Sequence, residues 1–166
     1  MPPYYTINLE VDPAFAGQVD RAGLRAAARA ALRQQQAPGP GALSLMIADD
    51  ARLRALNSKF LDEDRPTDVL SFPSGETAGG ETDHDAEGRY YGDIALSLPT
   101  ARAQARAARH SLLAEMQLLV IHGVLHLLGH DHARAKEKSK MWQAQADILA
   151  ALTQPRARRA RGAKGG

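Results

Sequence analysis

Residues 118–132 read LLVIHGVLHLLGHDH, an apolar run that carries four of the chain's six histidines and closes on a glycine. Leu118, Leu119, Val120, Ile121, Val124, Leu125, Leu127 and Leu128 leave a helix here apolar almost all round, which places it inside a core. Ser111 is its cap residue, and Gly129 ends it after about Leu128. Within it, His122 and His126 stand four residues apart, one turn above the other on one face.

Working outward, Thr100 starts an Arg/Ala-rich helix to about Arg109, and YYGDIALSL at 90–98 reads as a strand. TDVLSFP at 67–73 is another strand, stopped by Pro73. The acidic, glycine-containing loop 74–89 between the two makes a long hairpin of the pair. Asp49 or Asp50 caps a helix through about Phe60 that sets Leu53, Leu56 and Phe60 on one face. ALSLMIAD at 42–49 and YYTINLEV at 4–11 are strands, with a helix from Gln18 to Gln36 between them that APGPG terminates. Downstream, a last helix spans roughly Lys136 to Leu152, with Met141, Ile148 and Leu149 as its apolar contacts. The order β-α-β-α-β-β-α-α-α predicts a single α+β domain: a mixed sheet of about four strands packed with about five helices, and a metal site at the end of a buried helix.

The length of 166 residues fits one domain, taken as residues 1–154, followed by a basic, disordered tail at 155–166. The tail, PRARRARGAKGG, takes 5 of the 21 Lys+Arg residues, leaving 16 against 19 Asp+Glu, so the body is slightly acidic. Such a tail adds at most a loose, salt-sensitive attraction to RNA; a solubilising end is the simpler reading. There is no cysteine, which excludes disulfides and thiolate metal sites. The start, MPPYYTINLEVDP, lacks the pattern of a signal peptide, and no apolar stretch reaches the roughly 18 residues of a membrane span. The expected location is the cytoplasm.

Two imidazoles inside an apolar helix need partners, because an unpaired buried polar group costs about 1–3 kcal/mol. A divalent ion supplies both at once. Gly129 can take the left-handed conformation that turns the chain back and brings His132 to the helical pair. Three neutral imidazoles with one position open make a zinc site of the catalytic type, with Asp131 available to orient one ring. His130 is read as facing solvent or the cleft, and His84 and His110 as surface residues. The spacing H-x-x-x-H-x-x-G-x-x-H is that of the metzincin proteases, which need a glutamate directly after the first histidine as general base. Here that position is Gly123, which moves no proton, so peptide hydrolysis is disfavoured.

The segment HGVLHLLGHDH, preceded by EMQLLVI, closely resembles the signature of the YbeY family of bacterial rRNA maturation factors, metal-dependent single-strand endoribonucleases. LNSKFLDEDRPTDVLSFP at 56–73 and GDIALS at 92–97 resemble two further family motifs, and the likeness covers roughly residues 43–150. The resemblance implies a mixed α+β fold with the site beside a positively charged cleft. It implies one Zn²⁺ per chain on His122, His126 and His132. It also implies a role in ribosomal RNA maturation, especially at the small-subunit 3′ end, and in ribosome quality control. The implied partners are ribosomal RNA and the small subunit or its assembly factors, with no membrane partner. Two positions depart from the family pattern. His130 replaces a usual aromatic, and Leu61 stands where many members carry an arginine implicated in RNA cleavage, so the catalytic residues stay unassigned.

The expected chemistry is metal-assisted phosphodiester cleavage, in which zinc lowers the pKa of a bound water to about 7 or stabilises charge on the phosphate. Lys59, Arg65 and Arg134 are the candidate RNA contacts. Thr67 and Asp68 are explained by turn chemistry, Asp93 by a structural hydrogen bond, and Glu115 by its place in the first turn of the histidine helix. Trp142 is read as a packing contact rather than a base-stacking platform. The rival functions are a ribosome-assembly RNA-binding factor with a structural zinc and, less favoured, a metalloprotease-like hydrolase.

Overall fold

Apolar and polar residues alternate along Tyr5–Val11 (β1), whereas Gly41–Ala48 (β2) is apolar but for Ser44, with one side buried and the other half-buried along most of its length. In the computed structural model, which describes residues 4–61, 68–74, 88–129 and 135–153, they join Val69–Pro73 (β3) and Arg89–Ser97 (β4) in a sheet ordered β1-β2-β4-β3. β1 pairs parallel to β2 and β2 parallel to β4, while β3 runs antiparallel to β4. The sheet is therefore mixed, and β3 and β4 form the expected hairpin. Pro73 ends β3 on an edge strand, where a missing donor is tolerated.

Among the described residues, five α-helices complete the fold: Arg21–Gln34 (α1), Asp50–Leu61 (α2), Leu98–Ala108 (α3), Leu112–Leu127 (α4) and Ala135–Thr153 (α5). α1 starts at Arg21 rather than Gln18 because the Asp20 carboxylate accepts from the Gly23 amide at 2.9 Å, while Pro13–Phe15 forms a short 3-10 turn before it. α3 starts at Leu98 rather than Thr100: Ser97 Oγ accepts from the Thr100 amide at 3.2 Å, and a proline sits in the first turn, where its missing N–H costs nothing. Ser111 caps α4 as expected, accepting from Ala114 at 3.0 Å.

One sheet face carries Ile7, Leu43, Leu45, Ile47, Ile94 and Leu96 into the main core, where α1 and α4 cover it and α5 packs on those two helices. The other face carries Ala48, Leu70, Phe72 and Ala95 against Leu53 of α2. That second face is only partly covered, and a cavity of about 350 Å³ opens on it between Asn8, Ser44, Leu56, Phe72 and Asp93. α4 is buried as its composition requires, with Val120, Ile121, Val124 and Leu125 all inaccessible. Gly123 lets it press on β4: a Cβ there would sit 2.8 Å from Ile94 Cγ2. Ser71 Oγ of β3 donates to the Gly123 carbonyl at 3.2 Å, tying the helix to the sheet edge.

α5 packs through Met141, Ala144 and Ile148, with Leu149 partly buried beside them. Trp142 corrects the expectation of a packing contact: it is 58% exposed. It follows Met141 by one residue, about 100° round the helix from the buried stripe, so its indole turns outward. Phe60 and Leu61 lie on α2, but their side chains fall outside the described residues, as does the tail at 155–166. Among the described residues, no single helix is long and apolar enough to cross a membrane.

Candidate metal centre

His122 and His126 occupy the last two turns of α4, both half-buried. Helical periodicity stacks them as expected, with ring centroids 4.6 Å apart and planes inclined at 55°. Their Nε2 atoms face each other at 3.1 Å. The other ring nitrogen of His122, Nδ1, lies 2.7 Å from Oε1 of Gln145 on α5. An amide oxygen only accepts, so Nδ1 carries the proton and the His122 Nε2 lone pair points at His126.

The helix end beside this pair is well formed. The Leu128 amide donates to the carbonyls of Val124 at 3.0 Å and Leu125 at 3.2 Å, and that of Gly129 to His126 at 3.0 Å. Gly129 has φ +96°, the left-handed turn anticipated from its position. The carbonyl end of a helix carries partial negative charge, which favours a cation near His126.

The donor set fits a zinc ion. Two nitrogens each about 2.0–2.1 Å from one ion at a tetrahedral angle lie about 3.3–3.4 Å apart. The observed 3.1 Å is close to that separation, and the lone pair of His122 is already turned inward. The third expected ligand, His132, lies outside the described residues, together with His130, Asp131, Arg134, Arg65, Thr67 and His84. Among the described residues, no group of three metal-ligating side chains gathers.

The remaining sequence candidates have local roles. His110 Nε2 lies 2.6 Å from buried Glu115, so the glutamate answers to the α3–α4 turn rather than to the histidine pair. Asp68 receives the Gln104 amide at 3.2 Å, and its backbone carbonyl receives the Ser97 amide at 3.1 Å, which links β3 to α3. Asp93 accepts from the Tyr90 hydroxyl, which also bonds Ser44 at 2.8 Å. Burial, then the hydrogen bond to Asp93, pushes the Tyr90 phenol up to about 12. Lys59 is exposed on α2. At the same C-terminal end of α4, Arg89 lines an open cavity of about 420 Å³ with Leu127, Leu128 and Gly129.

Comparison with known proteins places the chain in a family. The profile of the YbeY endoribonucleases matches residues 14–153, all of the fold except β1 and the tail. The chain belongs to the YbeY family. It is 38% identical over 148 residues to the endoribonuclease YbeY of Roseiflexus sp. strain RS-1, covering 89% of this chain and 92% of that one. It is 39% identical over 149 residues to the protein of that name from Acidothermus cellulolyticus, covering 87% and 91%. The fold is shared with the solution structure of TM1509 from Thermotoga maritima, at TM-score 0.54 and 24% identity, covering 90% of this chain and 89% of that one.

Membership in the YbeY family leaves one residue of the centre unannounced. Gln145 is 4% exposed and reaches His122 from another helix, and sequence reasoning missed it. The signal was present: Gln145 follows Met141 by four residues and precedes Ile148 by three, a polar side chain set into the buried stripe of α5.

Proposed function

We propose that the chain is a zinc-dependent, single-strand endoribonuclease of ribosomal RNA maturation, acting at the small-subunit 3′ end and in ribosome quality control. Family membership supports RNA cleavage, since the relatives are named as endoribonucleases. The observation that carries the metal dependence is the facing Nε2 pair of His122 and His126 at 3.1 Å. His132, which follows the Gly129 turn, is the third ligand in this reading, and Asp131 orients a ligand ring. When bound, the ion supplies Lewis-acid stabilisation to the reacting phosphodiester.

The protein's own part is to hold and orient. The body is slightly acidic, so RNA is gripped by local cations: Lys59, Arg65, Arg134 and, at the end of the histidine helix, Arg89. Gly123 offers no general base, which sets this chemistry apart from peptide hydrolysis. The ligand in the cell is ribosomal RNA carried on the small subunit or its precursors, and the place of action is the cytoplasm.

The test pairs metal content with cleavage. Purified parent should hold about one zinc per chain and cut a labelled single-stranded RNA, with cutting abolished by chelation and restored by zinc. His126→Ala should lose both the zinc and the cleavage. Equal zinc in parent and variant would overturn the ligand assignment, and equal cleavage would overturn the assignment of the nuclease to this centre.

A further inference from the structure

Gln145 is a buried amide on a helix face otherwise made of Met141, Ala144 and Ile148. Its Oε1 meets one partner across the α4–α5 packing, His122 Nδ1, at 2.7 Å. Its apolar neighbours hold the side chain in place, so the acceptor is fixed relative to the ring. A neutral imidazole has one proton to place. With an acceptor fixed at Nδ1, the proton stays there and Nε2 is left as a lone pair, the form a metal ligand needs.

We propose that Gln145 is a positioning residue of the metal centre: it selects the Nδ1–H tautomer of His122 and aims the Nε2 lone pair at the point that His126 Nε2 also faces. The inference rests on the metal-centre reading above and deepens it. Gln145 does not touch the ion or the RNA; it acts through His122. A carboxylate at the same place would accept the same proton and add charge that strengthens the ligand, so the role survives Gln145→Glu and is lost in Gln145→Leu, which keeps the bulk without the acceptor.

The decisive experiment has two readouts on the full chain. Nitrogen-15 NMR of metal-free parent should show His122 protonated at Nδ1 and bare at Nε2, and in Gln145→Leu that preference should relax into a mixture. Competition with a chromophoric chelator should show zinc affinity falling about 10- to 100-fold in Gln145→Leu and recovering in Gln145→Glu. Simple loss of packing would not give rescue by the carboxylate. The proposal fails if His122 of the parent carries its proton on Nε2, or if folded Gln145→Leu binds zinc as tightly as parent. Should Gln145→Leu not fold, the parent spectrum and the affinity of Gln145→Glu decide: a Glu variant weaker than parent overturns the proposal. A parent that takes up no zinc overturns the metal-centre reading and this proposal with it, whereas a zinc-binding parent with an indifferent leucine variant overturns the proposal alone.

Discussion

Gly123 sits where a metzincin protease would carry its catalytic glutamate, and the packing of α4 on β4 explains why it cannot do so here. A Cβ built on Gly123 meets three atoms of one side chain: Ile94 Cγ2 at 2.8 Å, Cδ1 at 3.1 Å and Cγ1 at 3.2 Å. Ile94 is 1% exposed and has no solvent to move into. Gly123→Ala should gain about 1 kcal/mol of helix propensity and lose about 1–3 kcal/mol to overpacking, a net cost of roughly 0–2 kcal/mol. Ile94→Ala alone should cost about 2–5 kcal/mol, through lost burial and the cavity left behind. It also removes all three clashing atoms. In that background Gly123→Ala should change sign and stabilise by about 1 kcal/mol, since propensity remains and the new methyl partly fills the cavity. The four chains form a double-mutant cycle, read by urea unfolding of metal-free protein so that bound ion does not add to the stability of any of them. The expected coupling is about 1–3 kcal/mol. Additivity within about 0.5 kcal/mol would refute the close approach of α4 to β4. Gly123→Glu would add a buried, unpaired carboxylate to the same clash, at several kcal/mol more, so gaining a base here means losing the helix from the sheet.

Two further outcomes follow from side chains away from the histidines. Tyr90 is raised from 10.0 to about 12, so between those pH values the native chain keeps a proton that the unfolded chain has lost. Its contribution to stability is complete below pH 10 and disappears as pH rises toward 12. Tyr90→Phe should flatten that part of the stability profile, and a phenolate difference titration placing Tyr90 near 10 would sink the claim. Trp142 is the sole tryptophan and 58% exposed, so native fluorescence should be red-shifted and readily quenched by acrylamide. A blue-shifted, protected emission would contradict the outward orientation of that face of α5.

The elements were legible because their signals are local. Alternation wrote β1, a short apolar run after a Gly/Pro break wrote β2, and an apolar run longer than any strand wrote α4. The two helix starts that shifted did so because Asp20 and Ser97 are better caps than the residues first chosen, and Pro99 marks a first turn. The strand order was not legible beyond the β3–β4 hairpin. Placing β4 between β2 and β3 depends on how α1 and α4 share one sheet face, which no short window of sequence contains. The same holds at the centre. His122 and His126 announce each other at helical spacing, whereas Gln145 acts from 23 residues away. Trp142 was misplaced for a related reason: the stripe through Met141, Ala144, Gln145 and Ile148 sets which face of α5 is inside, and Trp142 lies off it.

The histidine pair sits at a junction of constraints that each limit its motion. Gly123 seats α4 on Ile94, Ser71 holds the Gly123 carbonyl from β3, and Gln145 fixes the ring of His122 from α5. With the His122 proton on Nδ1, its Nε2 can only accept across the 3.1 Å gap to His126 Nε2. In the proposed metal centre α4 would need no rebuilding, because the two nitrogens already lie near the separation that two zinc ligands require, and a ring protonated on Nε2 would have only to move that proton to its Nδ1. On the proposed reading, such a centre would spend little binding energy on ordering its two helical ligands.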